Sequence, residues 1–382
     1  MKIAQTVVRD KEALAAALEP LQAVAPTLIL VFGSVQWLNE MSALLKRQFA
    51  GVWCLGCTTA GEISSEGVSD DTCVVTAIRF EGAQLCVAST RLVEMQDSRA
   101  AGQQLARQLP RQNLRAVMVL GQGVNINGSG MIAGMTSELG DDVLITGGLA
   151  GDGGAFKQTF VLTNSGVYCD QIACVGFYGD SLRVSHGSFG GWEPFGPARK
   201  VTRCDSNVLF ELDGEPALEV YKRYLGDHAK DLPASGLLFP FAMLSPNHNE
   251  VGLIRTILAV DEAQGSLTLA GDIDASGYLR LMHASTRALI DGAQVAAEAA
   301  SGLLPPSGQG LALLVSCVGR KLVMGGRAEE EVEAVADVLS KNAVLTGFYS
   351  YGEISPFSDE LLCRLHNQTM TITYLNESSA AD

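Results

Sequence analysis

The pattern G-x-x-x-x-G-E-I-S occurs twice in this chain, as Gly56-Cys57-Thr58-Thr59-Ala60-Gly61-Glu62-Ile63-Ser64 and as Gly347-Phe348-Tyr349-Ser350-Tyr351-Gly352-Glu353-Ile354-Ser355. Each copy follows an apolar run that is typical of a buried strand. A related glycine-rich loop, Gly147-Gly148-Leu149-Ala150-Gly151-Asp152, follows a third run of this kind. Three such loops indicate three copies of one structural unit.

The same order of elements is predicted around each loop. A strand, an amphipathic helix and a second strand precede the loop, and a hairpin or strand pair follows it. The predicted strands and helices are 27–32, 35–49, 52–55, 72–80 and 83–89 in the first unit; 116–120, 129–139, 143–146, 159–163 and 166–177 in the second; and 311–315, 329–339, 344–345, 361–365 and 369–375 in the third. A unit alone leaves one sheet face uncovered, so the units must pack together, and we expect their loops to gather where sites form.

The predicted fold class is α/β (α+β), with repeated strand-helix-strand-hairpin units that form mixed sheets in a two-part architecture. The segment from Gly226 to Ala234 is polar, contains Pro233 and precedes a fresh apolar run, which is typical of a domain boundary. We therefore predict an N-terminal domain at 1–228 and a C-terminal domain at 229–376. The polar end, 377–382, is predicted to be a disordered tail.

Composition excludes several classes of partner. The chain has 382 residues, of which 47% are hydrophobic, and its net charge is −15 without any cluster of lysine or arginine. Nucleic acid and anionic membrane surfaces are therefore poor partners. No apolar run is long enough for membrane insertion, and the first residues lack a signal-peptide pattern, so we expect a cytoplasmic protein. The nine cysteines are then expected to be reduced.

One further stretch has the composition of a binding-site wall: Ser185-His186-Gly187-Ser188-Phe189-Gly190-Gly191-Trp192-Glu193-Pro194-Phe195-Gly196-Pro197. Glycines permit close approach of a ligand, aromatic rings supply apolar surface, and an imidazole can bind a metal or titrate near neutrality. We therefore expect this stretch to line a pocket. The alternative is a crossover rich in glycine and proline, in which His186 is hydrogen-bonded and inert.

Other motifs give weaker indications. The five histidines are far apart in sequence, and no P-loop, dinucleotide-binding pattern or nucleophile elbow occurs. Glu62 and Glu353 occupy matching repeat positions and either form a carboxylate pair or bond the backbone of their own loops; we favour the second interpretation. His366, where an apolar strand becomes polar, is the second candidate for a ligand-binding histidine.

Taken together, these segments resemble the FIST family of sensory domains, which have an N-terminal and a C-terminal part. The resemblance covers almost the whole chain and rests on the three loops above together with Pro194-Phe195-Gly196-Pro197, Val201-Thr202, Glu211-Leu212-Asp213-Gly214, Gly271-Asp272-Ile273, Gly325-Gly326-Arg327 and Leu365-His366-Asn367. It implies a ligand-sensing module without established catalysis. It also implies coupling to a histidine kinase or a cyclic-di-GMP signalling protein.

The chain is similar to free-standing bacterial FIST proteins that bind haem and sense nitric oxide. That resemblance implies His186 as the haem iron ligand, with His366 as the alternative, and Phe189, Trp192 and Phe195 beside it. Arg199, Lys200 and Arg203 are then the nearest cations for the propionates. The expected partner is a separate histidine kinase, and a homodimer is a further possibility.

Two other functions stay open. The first is a binding module for a small organic ligand such as an amino acid, held by loop backbone groups and by Glu62 or Glu353. The second is an enzyme, for which the sequence offers no nucleophile–base pair. The prediction is therefore a sensor and not an enzyme.

Overall fold

The computed structural model describes residues 1–303, 309–339, 343–357 and 362–378. Three units of similar element order make up most of the chain. Unit 1 comprises β1 (Lys2–Val8), α1 (Leu14–Ala17), β2 (Leu28–Gly33), α2 (Val35–Gln48), β3 (Trp53–Thr58), β4 (Glu62–Ser64), β5 (Gly67–Ser69) and β6 (Cys73–Arg79). Unit 2 comprises β7 (Gln84–Arg91), α3 (Ser98–Ala106), β8 (Leu114–Gly121), α4 (Gly128–Leu139), β9 (Leu144–Leu149), β10 (Val161–Thr163), β11 (Gly166–Tyr168) and β12 (Gln171–Tyr178).

Unit 3 is interrupted by an insert. It begins with β13 (Leu182–Phe189) and resumes with α6 (Thr286–Ala300), β22 (Gly310–Cys317), α7 (Val318–Met324), α8 (Glu329–Leu339), β23 (Ala343–Ser350), β24 (Gly352–Pro356), β25 (Cys363–His366) and β26 (Met370–Glu377). The insert between them contains β14 (Glu193–Asp205), β15 (Val208–Leu212), β16 (Glu215–Pro216), α5 (Ala217–Leu225), β17 (Phe241–Leu244), β18 (Glu250–Arg255), β19 (Ile257–Asp261), β20 (Ser266–Leu269) and β21 (Tyr278–His283).

The three units exchange strand pairs in a cycle. Their sheets have the orders β1-β6-β2-β3-β10-β11, β7-β12-β8-β9-β24-β25 and β13-β26-β22-β23-β4-β5. The sheet of unit 1 thus ends in a hairpin from unit 2, that of unit 2 in a pair from unit 3, and that of unit 3 in a hairpin from unit 1. In each sheet the two central strands are parallel, and the strands on either side of them are antiparallel to their neighbours. The result is a mixed sheet repeated three times.

The inner faces of the three sheets form one apolar core. Alternate residues of the central strands β2, β8 and β22 contribute to it: Leu28, Leu30 and Phe32; Ala116, Met118 and Leu120; Leu311, Leu313 and Val315. The intervening residues face outward, where α2 covers β2 and other helices cover β8 and β22. This alternation buries both faces of each parallel pair, which explains the continuous apolar runs in the sequence.

One glycine sits at the same register in each parallel pair. Gly56, Gly147 and Gly347 lie beside Val31, Val119 and Leu314 of the neighbouring strand. A Cβ atom added at any of these glycines would overlap the carbonyl oxygen of that neighbour. Close backbone approach therefore requires glycine at the first position of the repeated loop pattern.

The insert forms a fourth sheet with its own core. Its strands have the order β18-β17-β21-β14-β15-β20-β19, with β16 paired to β15. Apolar residues of these strands and of α5 form a separate cluster that includes Leu209, Leu218, Tyr221 and Leu267. Glu193 lies opposite His283 in the β14–β21 pairing, so the insert leaves and rejoins unit 3 at adjacent positions.

The structure confirms the mixed α/β class and corrects several local predictions. The strands 73–79 and 84–91 are not a hairpin, because they belong to the sheets of units 1 and 2. Before β2, only Leu14–Ala17 is α-helical, and the segment Glu19–Val24, which contains Pro20, is a 3-10 helix. The predicted boundary at residue 228 falls in the 3-10 helix Gly226–Asp231 of the insert.

The predicted tail is described in part. Glu377 is the last residue of β26, and its carboxylate accepts hydrogen bonds from the backbone N–H groups of Gly82 and Ala83, both at 2.7 Å. Residue 377 is therefore ordered, contrary to the prediction, because it pairs with the connection between units 1 and 2. The last four residues of the predicted tail lie outside the described residues.

Candidate functional site

The three repeat loops meet in one place. The Tyr349 N–H donates to the Gly61 carbonyl at 2.8 Å, and the Gly151 N–H donates to the Thr58 carbonyl at 2.9 Å. The Tyr351 N–H donates to the Leu149 carbonyl at 3.1 Å, which joins the third loop to the second. We call residues 58–62, 149–153 and 349–353 the loop ring. The prediction that the repeat loops gather at one side is confirmed.

Glu62 and Glu353 have matching hydrogen bonds in the loop ring. The Glu62 carboxylate accepts hydrogen bonds from the Thr59 hydroxyl and from the N–H and hydroxyl of Thr72. The Glu353 carboxylate accepts from the Ser350 hydroxyl at 2.7 Å and from the N–H and hydroxyl of Thr369 at 3.2 and 3.0 Å. Each carboxylate therefore links a hydroxyl of its own loop to the threonine that precedes β6 or β26, and the backbone groups it bonds are those of Thr72 and Thr369, not those of its own loop.

Burial changes the protonation of these carboxylates. Desolvation raises the pKa of Glu62, and it raises the pKa of Glu353 to about 8, although the donated hydrogen bonds oppose the shift. Both side chains lie almost without solvent contact, at 1% and 0% exposure. Groups so enclosed and so fully bonded support a structural role in the loops.

Asp152 lies one position earlier in the second loop than Glu62 and Glu353 lie in theirs, and it acts differently. Its carboxylate accepts hydrogen bonds from the backbone N–H groups of Phe156, Lys157 and Gln158, at 2.8, 2.8 and 2.9 Å. The Tyr351 hydroxyl also donates to it. The Tyr351 ring stacks on Phe156 with 4.1 Å between ring centres. Asp152 thus holds the segment 153–158 against the third loop.

A large cavity opens beside this segment. Its volume is about 1110 Å³, and it lies between the three-unit core and the insert. The core contributes loop and helix residues, and the insert contributes two 3-10 helices and the strands β19 and β20. Its apolar wall includes Val124, Ile126, Leu149, Phe156, Leu237, Leu238, Ile257, Leu269, Tyr351 and Leu365. This composition is typical of a small-molecule site.

A few polar groups also line the large cavity. They are Asn127, Asn207, His228, Asp231, Ser235, Thr268 and Asn367. Among the residues that the structure describes, no lysine or arginine lines it. Three of the most exposed large apolar side chains lie at the same wall, namely Met95, Leu258 and Leu322 at 39%, 43% and 51% exposure. Apolar surface therefore continues from the interior to the rim.

Asp152 lines a second cavity, which we call the polar cavity because several carboxylates line it. Its volume is about 780 Å³, and its wall includes Ser34, Glu62, Asp70, Asp71, Asp152 and Lys321. Lys321 donates to the Ala60 carbonyl at 3.0 Å and forms an ion pair with Asp70. Leu322 lines both cavities. The two cavities therefore adjoin at Leu322, and several carboxylates line one of them, whereas the other is mostly apolar.

The stretch 185–197 lies elsewhere. It consists of the end of β13 and the start of β14, and none of its residues is among those that line the two cavities above. Gly187 and Gly191 face α6, where an added Cβ would overlap the carbonyl oxygens of Ala296 and Ala288. The glycines therefore serve close packing of helix on strand. The expectation that this stretch lines a pocket is wrong for these two cavities.

The side chains predicted around a haem differ in exposure and in their partners. Phe189 and Phe195 are 46% and 40% exposed, and the Trp192 indole N–H donates to the Gln368 carbonyl at 2.8 Å. His186 lies in β13 opposite Thr373, and burial lowers the pKa of its imidazole. Its Nδ1 atom has no hydrogen-bond partner among the described residues.

The remaining predicted groups are already engaged. His366 is 1% exposed, its Nε2 lies 2.8 Å from the Ser355 carbonyl oxygen, and burial lowers its pKa to about 4. The Arg199 guanidinium donates to Asp213 at 3.1 Å and to the Tyr224 hydroxyl at 2.7 Å. Arg203 donates to Glu211 at 2.9 Å. His366, Arg199 and Arg203 therefore already have hydrogen-bond partners, and haem binding at His186 stays a prediction.

Sequence reasoning missed the residues of the large cavity. His228, Asn367, Phe156 and Tyr351 come from four separate parts of the chain. A sequence signal exists only for the repeat loop around Tyr351 and for the segment Leu365-His366-Asn367, in which His366 and not Asn367 is the candidate. Within the described residues there is no group of three metal-binding side chains and no helix that is long and apolar enough to cross a bilayer. All nine cysteines are free thiols.

Family comparisons cover most of the chain. The FIST N domain matches residues 27–215, and the FIST C domain matches residues 217–356. An uncharacterized protein of Methanocaldococcus jannaschii is 34% identical over 87 residues, which are 22% of this chain. The chain spans only 17% of that relative's length, so the match extends to a small part of it.

Two solved structures of cyanuric acid hydrolases are similar over nearly their whole length. One, from A. caulinodans, has a TM-score of 0.37 and 9% identity and covers 99% of both chains. The other has a TM-score of 0.35 and 11% identity and covers 98% of this chain and 99% of its own. These neighbours are enzymes, which contradicts the prediction that the chain is not an enzyme, and that prediction is withdrawn. Likeness this distant assigns no reaction to the chain.

Proposed function

The chain belongs to the FIST family, and we propose that it is a sensory protein whose small organic ligand occupies the large cavity. FIST domains suggest a ligand-binding sensory role. The single observation that carries the location is the apolar cavity of about 1110 Å³ walled by both matched domains. Ligand sites are commonly clefts of roughly 300–1,000 Å³ with apolar walls and a few polar groups.

The wall of the cavity supports a route from ligand to signal. Phe156 and Tyr351 line it, and the Tyr351 hydroxyl donates to Asp152, which holds the segment 153–158. A ligand that displaces Phe156 therefore acts on hydrogen bonds of the loop ring. Since the loop ring joins all three units, a local change there reaches the whole core. The proposed output is contact with a separate histidine kinase or a cyclic-di-GMP signalling protein.

The cavity is tested by a ligand screen with a blocking variant. Compounds including amino acids and apolar small molecules are screened by thermal shift on the full chain. A compound at 100 times its Kd stabilises the folded state by about 2.7 kcal/mol. Ala234→Trp places a large ring at an exposed position of the cavity wall and should abolish the shift.

The matched control is Val35→Trp, at an exposed position of the polar cavity. It should leave the thermal shift unchanged, because it adds the same ring at a distance from the proposed site. Thermal shifts that persist in Ala234→Trp but disappear in Val35→Trp would show that the ligand binds in the polar cavity instead. Shifts unaffected by both variants would refute both locations.

Haem with nitric oxide as signal is the second candidate, because the large cavity contains one suitable ligand, His228. A bound haem would supply an iron centre that binds nitric oxide. The residues near His186 give haem less support, since Phe189 and Phe195 are exposed and Arg199 and Arg203 are engaged by Asp213, Tyr224 and Glu211. The large cavity fits it in part: His228 is available, but no lysine or arginine of the described wall is available for the propionates.

The absorbance spectrum of protein mixed with haemin under reducing conditions tests this candidate. Binding in the large cavity predicts a Soret band that His228→Ala removes and His186→Ala leaves unchanged. A Soret band that His186→Ala removes and His228→Ala leaves unchanged would identify His186 as the iron ligand. No Soret band in the wild type or in either variant would exclude haem. His366→Ala completes the set, because His366 is the remaining predicted ligand.

A further inference from the structure

Asn367 gives the large cavity a polar anchor. It follows β25, lines the cavity and is 1% exposed. Its Oδ1 atom is buried and has no hydrogen-bond partner among the described residues. Buried polar side chains are rarely left unpaired, because the lost hydration is costly. An unpaired acceptor at a cavity wall is therefore a candidate for a contact with the ligand.

The orientation of the Asn367 amide is fixed by its other end. Its Nδ2 donates to the His366 carbonyl oxygen at 3.0 Å. A flipped amide would place Oδ1 against that carbonyl, and two acceptors would then face each other. The Asn367 atom without any partner is thus the acceptor Oδ1, whereas Nδ2 already donates one hydrogen bond.

Several other donors around the cavity are already engaged. The Asn127 amide donates to Asp272 at 3.2 Å, and the Asn207 amide donates to the Leu269 carbonyl at 2.8 Å. The Ser235 hydroxyl donates to the His228 carbonyl at 2.7 Å, and the Tyr351 hydroxyl donates to Asp152. These groups retain little capacity to bind an anion.

The charges near the cavity also disfavour an anion. Asp231 lines the wall, whereas no described lysine or arginine does. Arg255 lies next to Gly271, but its guanidinium donates to the backbone carbonyls of Asp272 at 3.1 Å and of Leu365 at 3.2 Å. Apart from the His228 imidazole, a carboxylate or phosphate in the cavity would therefore lose its hydration without gaining a basic side chain.

We infer that the ligand of the large cavity is a neutral or cationic amphipathic molecule. Its O–H or N–H group donates a hydrogen bond to Asn367 Oδ1. The apolar walls and rim take its hydrocarbon part. This inference rests on the proposed function and specifies the class of ligand. It favours alcohols and amines over carboxylates, and therefore disfavours a free amino acid.

Three probes of equal chain length test the inference: octan-1-ol, octylamine and octanoate, titrated calorimetrically into the full chain at pH 7. The alcohol and the amine should bind at least about tenfold more tightly than octanoate. Asn367→Leu keeps the side-chain volume but removes the acceptor, and it should weaken binding of the alcohol roughly tenfold. The exposed Asn249→Leu is the matched control and should change nothing.

A second variant keeps the test valid where Asn367→Leu fails to fold. Asn367→Asp retains an acceptor and adds a negative charge, so the affinity ratio of octylamine to octan-1-ol should rise. An unchanged ratio, or octanoate binding as tightly as the alcohol, overturns the inference. Ala234→Trp separates the two proposals: loss of probe binding in this variant supports the cavity, whereas binding that persists refutes the proposed site itself.

Discussion

At the scale of single residues, the loop carboxylates explain why the repeated sequence pattern exists. Glu62 and Glu353 each bond a hydroxyl three residues earlier and the N–H and hydroxyl of a threonine that precedes the next strand. One short segment thus specifies its own turn. The second loop carries Asp152 instead, and its carboxylate bonds a different segment. The departure occurs beside the large cavity.

Glu353 should make the stability of the protein depend on pH. Burial raises its pKa from 4.5 to about 8, so the folded state favours the protonated acid. The contribution of Glu353 to the free energy of unfolding is fully present below pH 4.5 and is lost as pH rises towards 8. Since one pKa unit corresponds to about 1.36 kcal/mol, the change is on the order of a few kcal/mol.

Urea unfolding of the wild type and of Glu353→Gln between pH 5 and pH 8 measures this effect. The free energy of unfolding of the wild type should fall relative to that of the variant as pH rises. Glu40→Gln, on the exposed side of α2, controls for removal of a charge and should run parallel to the wild type. Parallel curves for Glu353→Gln would show that Glu353 does not titrate in this range.

The loop carboxylates could be predicted from sequence, but the cavity residues could not. The Gly-Glu-Ile-Ser repeat is local and marks both carboxylates, although their threonine partners Thr72 and Thr369 lie 10 and 16 residues further along the chain. His228 and Asn367 instead meet across the insert and the core, and no spacing in the sequence relates them. His186 illustrates the converse: its glycine and aromatic neighbours indicate a site, yet Gly187 is glycine because α6 packs against it.

At the scale of elements, strand and helix identities follow from local patterns, whereas partners do not. The apolar runs 27–32, 116–120 and 311–315 predict the parallel central strands, because both of their faces are buried. The runs 72–80 and 83–89 also form strands, and their short connection indicates a hairpin. Instead they enter different sheets, since β6 pairs with β2 and β7 pairs with β12.

The exchanged hairpins are the least predictable elements. β4–β5, β10–β11 and β24–β25 each extend the sheet of another unit. Such strands have the same composition as those that return to their own sheet, so periodicity cannot assign them. Their pairing is fixed by the loop ring, whose backbone hydrogen bonds hold each loop beside a neighbouring unit.

At the scale of the whole molecule, the cyclic exchange makes the three units one cooperative structure. Each sheet is completed by another unit, and all three sheets share one central core. The insert has a core of its own and joins unit 3 through adjacent strands. The large cavity lies between these two bodies, so its shape depends on both.

Two deletions test this organisation. The larger deletion should leave cooperative unfolding intact, whereas the smaller one should abolish it. Replacing Glu193–His283 by a short glycine-serine linker removes the whole insert, and the gap is small because paired strand residues lie about 5 Å apart. The three-unit core should still unfold in one cooperative transition, at a lower temperature. Replacing Val161–Tyr168 by the same linker removes only β10 and β11, and it should abolish cooperative unfolding.

The free energy lost with the β10–β11 hairpin explains why the smaller deletion should abolish cooperative unfolding. Val161 and Leu162 are 0% and 1% exposed, and loss of one buried side chain of this size costs about 2–5 kcal/mol. Two such losses, together with the uncovered edge of β3, approach the 5–15 kcal/mol by which a domain is stable. Circular dichroism during heating measures both variants. A folded, cooperative protein without the hairpin, or an unfolded core without the insert, would contradict the cyclic organisation.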